Sequence, residues 1–200
     1  MRRRLVPVLF ALVVLPPAFA ADDPPPGKDL FPLASNVRWT YRIQGQEDKL
    51  VVVVAPQPDK LGDLRSFRLE GRLRDRTIAT EHLTIRKDGV YRHRHDGMDI
   101  EPPILICKFP ATKGERWHID YKIGDKKAAI DYACDYEDVT VPAGTYKAVA
   151  VHAAVVEGGG LKTTCWYAPK IGLVKQVVED GEGKIVLELE KFDRVTFKKP

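Results

Sequence analysis

Serine is almost missing from this chain: Ser35 and Ser66 are the only two in 200 residues, and neither stands in a Gly-x-Ser-x-Gly turn. A serine hydrolase of the nucleophile-elbow kind therefore has nothing to build on. The chain also lacks an HExxH pair, a phosphate-cradling glycine loop and any Cys-x-x-Cys, which removes the usual signatures of zinc proteases, nucleotide sites and thiol redox sites. An excess of one charge is lacking as well. The formal net charge is +4, but Arg2, Arg3 and Arg4 lie at the extreme N-terminus, and without them 29 basic side chains face 28 acidic ones. No nucleic-acid partner is expected, because that would call for a basic stripe. After Leu15 no apolar run approaches the roughly 20 residues of a membrane-spanning helix. Nowhere does an apolar period of 3.6 residues persist over three turns.

What is present begins with a leader. Arg2–Arg4, the apolar stretch Leu5–Leu15 and Ala18-Phe19-Ala20 follow the basic, apolar, small-x-small order of a secretory signal peptide, expected over residues 1–20. A Pro-rich tether over 21–29 and a single β domain over 30–200 should follow. The expected location is periplasmic or secreted, with no transmembrane segment in the mature chain. Export would let disulfides persist. Cys107, Cys134 and Cys165 are an odd set, so at most one internal bridge forms, with Cys134–Cys165 the pairing to test. The alternative is that all three are packed as small apolar side chains.

The rest of the chain repeats one theme, short alternating apolar runs broken by Gly, Pro or Asp, as in antiparallel β-structure. Strands are expected at Val37–Ile43, Lys49–Ala55, Leu64–Arg74, Thr77–Arg86 and Val90–His95. A short Met98–Ile100 is followed by Pro102-Pro103 and a separate Ile104–Phe109. Further strands are expected at Arg116–Ile123, Ala128–Tyr136, Val139–Val141, Tyr146–Glu157, Leu161–Tyr167, Leu173–Glu179 and Lys184–Phe192. Gln57–Asp63 reads as a loop and Gly158–Gly160 as a hairpin turn. Val37–Ile43 and Arg116–Ile123 echo each other, both opening a hairpin with aromatic and Ile residues on one face. The fold class is all-β, a large antiparallel meander of about a dozen strands. So wide a sheet must curl, because twist accumulates, into a curved half-barrel, a barrel or a sandwich.

Candidate chemistry is sparse. His93 and His95 are spaced so that one face of a strand would offer two imidazoles to a metal, with Glu101 as a third ligand. The cupin order of motifs is broken at three places, since Gly89 is too near, Glu101 too far and Lys147 stands where a histidine belongs. Arg92 and Arg94 beside the pair would repel a cation. Cys165 and His152 could form a dyad across neighbouring strands, and Asp131, Asp135, Glu137 and Asp138 cluster near a strand end. In Tyr146–Glu157 the small side chains Ala148, Ala150 and Ala154, with His152, share one face. They could line a space for an apolar ligand or let another element pack closely.

Three phrases run through the chain: Phe31-Pro32-Leu33-Ala34 leading to Trp39-Thr40-Tyr41, Val141-Pro142-Ala143-Gly144-Thr145-Tyr146-Lys147, and Trp166-Tyr167-Ala168-Pro169-Lys170-Ile171-Gly172. In these the chain resembles exported bacterial β-proteins of domain-of-unknown-function families, which are similar to lipoprotein-carrier half-barrels. The resemblance implies a curved sheet and names no catalytic residue. The expected function is that of a non-catalytic, cofactor-free envelope protein, an interaction or structural module for an unknown envelope partner. One alternative is a binder or carrier of an apolar or acyl ligand held in the curved sheet. Another is a metal-dependent enzyme centred on His93 and His95.

Overall fold

A computed structural model describes residues 27–35, 37–157 and 160–194. The leader, residues 21–26 of the tether and the Gly158-Gly159 pair lie outside the described residues. Lys28 and Asp29, read above as the end of the tether, instead enter a 3-10 turn, Lys28–Leu30. The first strands are β1 Val37–Ile43, β2 Lys49–Val54, β3 Asp59–Leu61, β4 Leu64–Leu73, β5 Arg76–Ile85, β6 Gly89–His95 and β7 Met98–Lys108. They are followed by β8 Arg116–Ile123, β9 Lys126–Val141, β10 Gly144–Val155, β11 Lys162–Ala168, β12 Gly172–Glu179 and β13 Lys184–Arg194.

Neighbours in sequence pair antiparallel from β4 through β13. β13 then pairs with β1, β1 with β2, and β2 with β4, so that twelve strands close into a barrel. β3 is the extra strand, a short hairpin partner on β4. Closure pairs each of the twelve strands on both sides, with one gap where β7 and β8 meet at only two positions. Alternation sets the two faces. Trp39, Tyr41 and Ile43 of β1 are buried while Arg38 and Arg42 are exposed. On β4, Arg68, Glu70 and Arg72 form ion pairs with one another and with Asp59. On these two strands the outward face is charged and the inward face largely apolar.

Three local departures from the expected strands have physical causes. β7 runs straight through Pro102-Pro103, because β7 pairs with β8 only at Ile100↔Ile123 and Glu101↔Lys122. Beyond that point no β8 partner stands opposite, so the missing proline N–H groups forfeit no bond to that strand. In the resulting seam Trp117 Nε1 donates to the carbonyl of Leu105 at 2.8 Å. β9 continues through Glu137 and Asp138, carried by an unbroken ladder to β10 from Val141↔Gly144 to Ile130↔Val155. Asp59–Leu61, read as loop, is β3, and Asp59 accepts from Arg68 and meets His82 Nε2 at 2.9 Å.

Side chains fill the barrel in two clusters. One gathers Leu30, Phe31, Leu83, Val90, Ile104 and Val149 among others. The second gathers Trp39, Val139, Val141, Ala148, Val174 and Leu189, where the β9–β10 hairpin folds onto β13 and Ala143 N donates to Leu189 O at 3.0 Å.

Candidate functional site

About eight strands enclose an interior that wall side chains alone can fill. Twelve enclose more, and the surplus here is handled by a plug and a cavity. The plug is the segment around Lys28–Leu30. Leu30 is fully buried, Phe31 packs against Tyr167 with ring centroids 4.6 Å apart, and Lys170 N donates to Asp29 O at 2.7 Å. Above it lies a cavity of about 320 Å³. Leu30, Phe31 and Leu33 form its floor. Trp39 and Tyr41 of β1, Leu50 and Val52 of β2, and Leu69 and Gly71 of β4 form one wall. Ile78, Ala79 and Leu83 of β5 and Ile106 of β7 continue it, and Tyr167, Leu173 and Gln176 close the far side. Ile78 lines the cavity yet is 55% exposed, which sets the mouth at the start of β5.

Trp39 and Tyr41 are held by bonds inside the barrel. The Trp39 indole donates to Ile171 O at 2.6 Å and the Tyr41 hydroxyl to Leu173 O at 2.8 Å. Both receiving carbonyls lie on β12 or its approach, before the β12–β13 ladder begins at Lys175↔Glu188. Two large aromatic side chains thus satisfy their polar atoms while presenting ring surface to the cavity.

Besides its tyrosines and Cys165, three ionisable side chains interrupt this apolar lining: Glu81, Arg92 and His95. Glu81 is in phase with Ala79 and Leu83 on β5, and its cross-strand partner is His95. Arg92 Nη2 lies 2.9 Å from Glu81 Oε1, with side chains 29% and 26% exposed. His95 Nδ1 is 3.5 Å from the same oxygen, beyond good hydrogen-bond length. Neither His95 Nδ1 nor Arg92 Nε has a hydrogen-bond partner, although both atoms are buried. Burial works to raise the Glu81 carboxyl, but the Arg92 charge and the contact with His95 outweigh it and hold the group at about 2. Polar contact with Glu81 raises His95, against burial and the Arg92 charge. Burial works against the Arg92 cation, and Glu81 more than compensates.

The structure separates the residues singled out from the sequence. His93 is the unpaired residue of a bulge between Arg92↔Leu83 and Arg94↔His82, and a bulge reverses which residues share a face. His95 therefore turns into the cavity, whereas His93 meets Thr84 Oγ1 at 2.9 Å away from it. Burial, then the charges of Arg86 and His82, lower His93. Glu101 is exposed on β7 opposite Lys122. The three expected metal ligands are not brought together. Among the described residues no group of three or more His, Cys, Asp or Glu side chains is placed to hold a metal ion.

Ala148, Ala150, His152 and Ala154 do share a face, but none borders the cavity. Ala148 and Ala150 are fully buried, and Ala148 packs in the second cluster, so the small side chains serve close packing. Cys134 and Cys165 both stand opposite Val151, one on β9 and one on β11, with β10 between them. Two strand spacings, about 9.5 Å, exceed the reach of a disulfide, and all three cysteines are free thiols. The Cys165–His152 dyad fails by alternation, since His152 pairs with Thr164 and points away from the face Cys165 shares with the cavity. Burial pushes the Cys165 thiol up to about 11. Asp131, Asp135, Glu137 and Asp138 each engage a different partner, respectively His118, Lys113, Trp166 and Lys147.

The sequence reading missed Glu81 and Arg92. The available signal was phase, since each stands on the apolar face of its strand, between Ala79 and Leu83 and beside Val90.

No protein-family model matches the chain, and no curated protein matches it. Two solved structures are similar in fold. One is a "putative lipoprotein" from Parabacteroides distasonis, with 14% identity and a TM-score of 0.44 over 82% of this chain and 98% of that one. The other is a "putative exported protein with YmcC-like fold" from Bacteroides fragilis, with 15% identity and a TM-score of 0.43 over the same shares.

Proposed function

We propose that the barrel is a non-catalytic binding protein that holds an apolar small molecule in its interior, as an exported carrier or sensor of that molecule. The observation that supports this reading is the cavity, whose volume of about 320 Å³ falls within the size of small-molecule sites. A structural module with a fully packed core would have no such space, so the cavity favours ligand binding over the interaction-module expectation. A mostly apolar wall with a few convergent polar groups is the usual make-up of a ligand site. The leader-like residues 1–20 support export. Organic extraction of purified protein followed by mass spectrometry, with titration of a solvatochromic dye, tests the reading. Recovery of a stoichiometric apolar compound, or saturable dye uptake displaced by an alkane-chain ligand, is expected. A protein that yields no ligand and takes up no dye would count against it.

A further inference from the structure

The apolar-ligand reading leaves open what end of the guest the barrel recognises, and the following inference rests on that reading. Two buried nitrogens in the cavity wall, Arg92 Nε and His95 Nδ1, make no hydrogen bond within the protein, Glu81 Oε1 standing 3.5 Å from Nδ1. Buried donors without acceptors are costly, and in a binding site they mark where a ligand atom completes the bonding. Both belong to β6 and line the same cavity as the exposed Ile78 and the buried Phe31. We infer that the cavity takes an amphipathic ligand with an acyl-length apolar tail and a carboxylate head, the tail lying toward Phe31 and the head accepting from Arg92 and His95.

A carboxylate suits this cluster better than a hydroxyl or an amine. It only accepts, it offers two oxygens to two donors, and its bond to a guanidinium is charge-assisted. The charged groups that face His95 are Glu81 from β5, Arg92 from its own strand and Asp96 from the turn, its Oδ2 3.5 Å from Nε2. The β7 neighbour of His95, Met98, carries no charge. Asp96 sits on the exposed turn and accepts from Thr80 N at 2.7 Å. Glu81 and Asp96 thus already offset much of the positive charge of this cluster, and the need for an anionic head rests on the two unfilled nitrogens, Arg92 Nε and His95 Nδ1. The tail length follows from volume. A cavity of about 320 Å³ is roughly twice the ~150 Å³ that admits benzene, which fits a chain of about ten carbons.

The test is calorimetric titration of the purified protein with decanoate, methyl decanoate and decanesulfonate at about pH 6 and about pH 8.5, where the free acid and the sulfonate stay ionised. Decanoate is expected to bind about tenfold or more tighter than its methyl ester, the margin of a charge-assisted bond, and tighter at the lower pH. The double variant E81Q/R92M, which removes both charges together, is expected to lose that preference while keeping ester affinity. H95Q, at the cavity rim, is expected to keep the preference for the acid and lose its pH dependence. Equal affinity for decanoate and its ester overturns the head-group assignment but leaves the cavity reading standing. A pH dependence that persists in H95Q overturns the part given to His95. No binding of any of the three overturns both readings.

Discussion

Gly71 stands directly opposite Ala79 across the β4–β5 ladder, and a Cβ added to Gly71 would lie 3.5 Å from that of Ala79. Both residues line the cavity. The space exists partly because two of the smallest residues meet where larger side chains would project inward. Ala79→Phe should place a ring in that space. Dye and ligand binding should fall at least tenfold, with the melting temperature unchanged or raised, because new contacts replace void. Parallel dye titration and thermal melts check both halves of the expectation.

The Glu81–Arg92 pair is shielded by the barrel wall, so removing one partner should cost far more than removing both. Glu81→Gln is expected to destabilise by about 3 kcal/mol, since it leaves the Arg92 cation uncompensated. The double variant should lie much closer to the parent. Urea unfolding of the three proteins gives the comparison.

Acid should expose the same pair. The Glu81 carboxyl sits at about 2 in the folded protein against an ordinary 4.5, so folding holds its charged form. That stabilisation is fully present above the ordinary value and is lost as pH falls from there through about 2. Unfolding free energy measured from neutral pH down into this window should fall for the parent. The part of the slope due to this residue should be missing in Glu81→Gln.

Trp117 bridges the β7–β8 seam through the Leu105 carbonyl and stacks on Tyr132, ring centroids 4.9 Å apart and 7° from parallel. Trp117→Phe keeps an aromatic ring but loses the donor, leaving that carbonyl unsatisfied. A loss of about 1–2 kcal/mol is expected. Amide hydrogen exchange should quicken first at the seam, in Ile119–Tyr121, where β7 offers no ladder.

The cysteines should stay unlinked across β10. Peptide mapping without reductant is expected to find no Cys134–Cys165 cross-link. Native protein should react slowly with thiol reagents at neutral pH, because burial pushes Cys134 and Cys165 each up to about 11 and thiolate is the reactive form. Rapid labelling of the folded protein, or a mapped bridge between these two, would contradict the register.

Strands with clean alternation were legible to the residue. Val37–Ile43 and Arg116–Ile123 coincide with β1 and β8, because each carries large apolar residues at every second position with charges between. Elements that depend on a partner were not. Asp59–Leu61 has too few residues to show a period, and becomes a strand only because β4 lies beside it. The prolines of β7 read as a break because only the paired sheet reveals that no β8 partner faces them. The site was hardest to read for a related reason. The bulge at His93 has no signature of its own, yet it reverses the phase of everything after it. Two histidines with one residue between them thus parted, and Glu81 and Arg92, which no motif joins, came together. Gly71 and Ala79 gave no hint of a void, since their spatial pairing depends on a further register shift next to Gly71.

The pairing of β1 with β13 has a consequence for how the chain reaches this shape. The first described strand finds one of its two neighbours only among residues 184–194, in the last described strand. Ring closure therefore waits for β13: the earlier hairpins can form without it, but they cannot seal the barrel. Such long-range pairing makes for slow folding. The part of the cavity wall given by Trp39 and Tyr41 of β1 is therefore completed only at that closure.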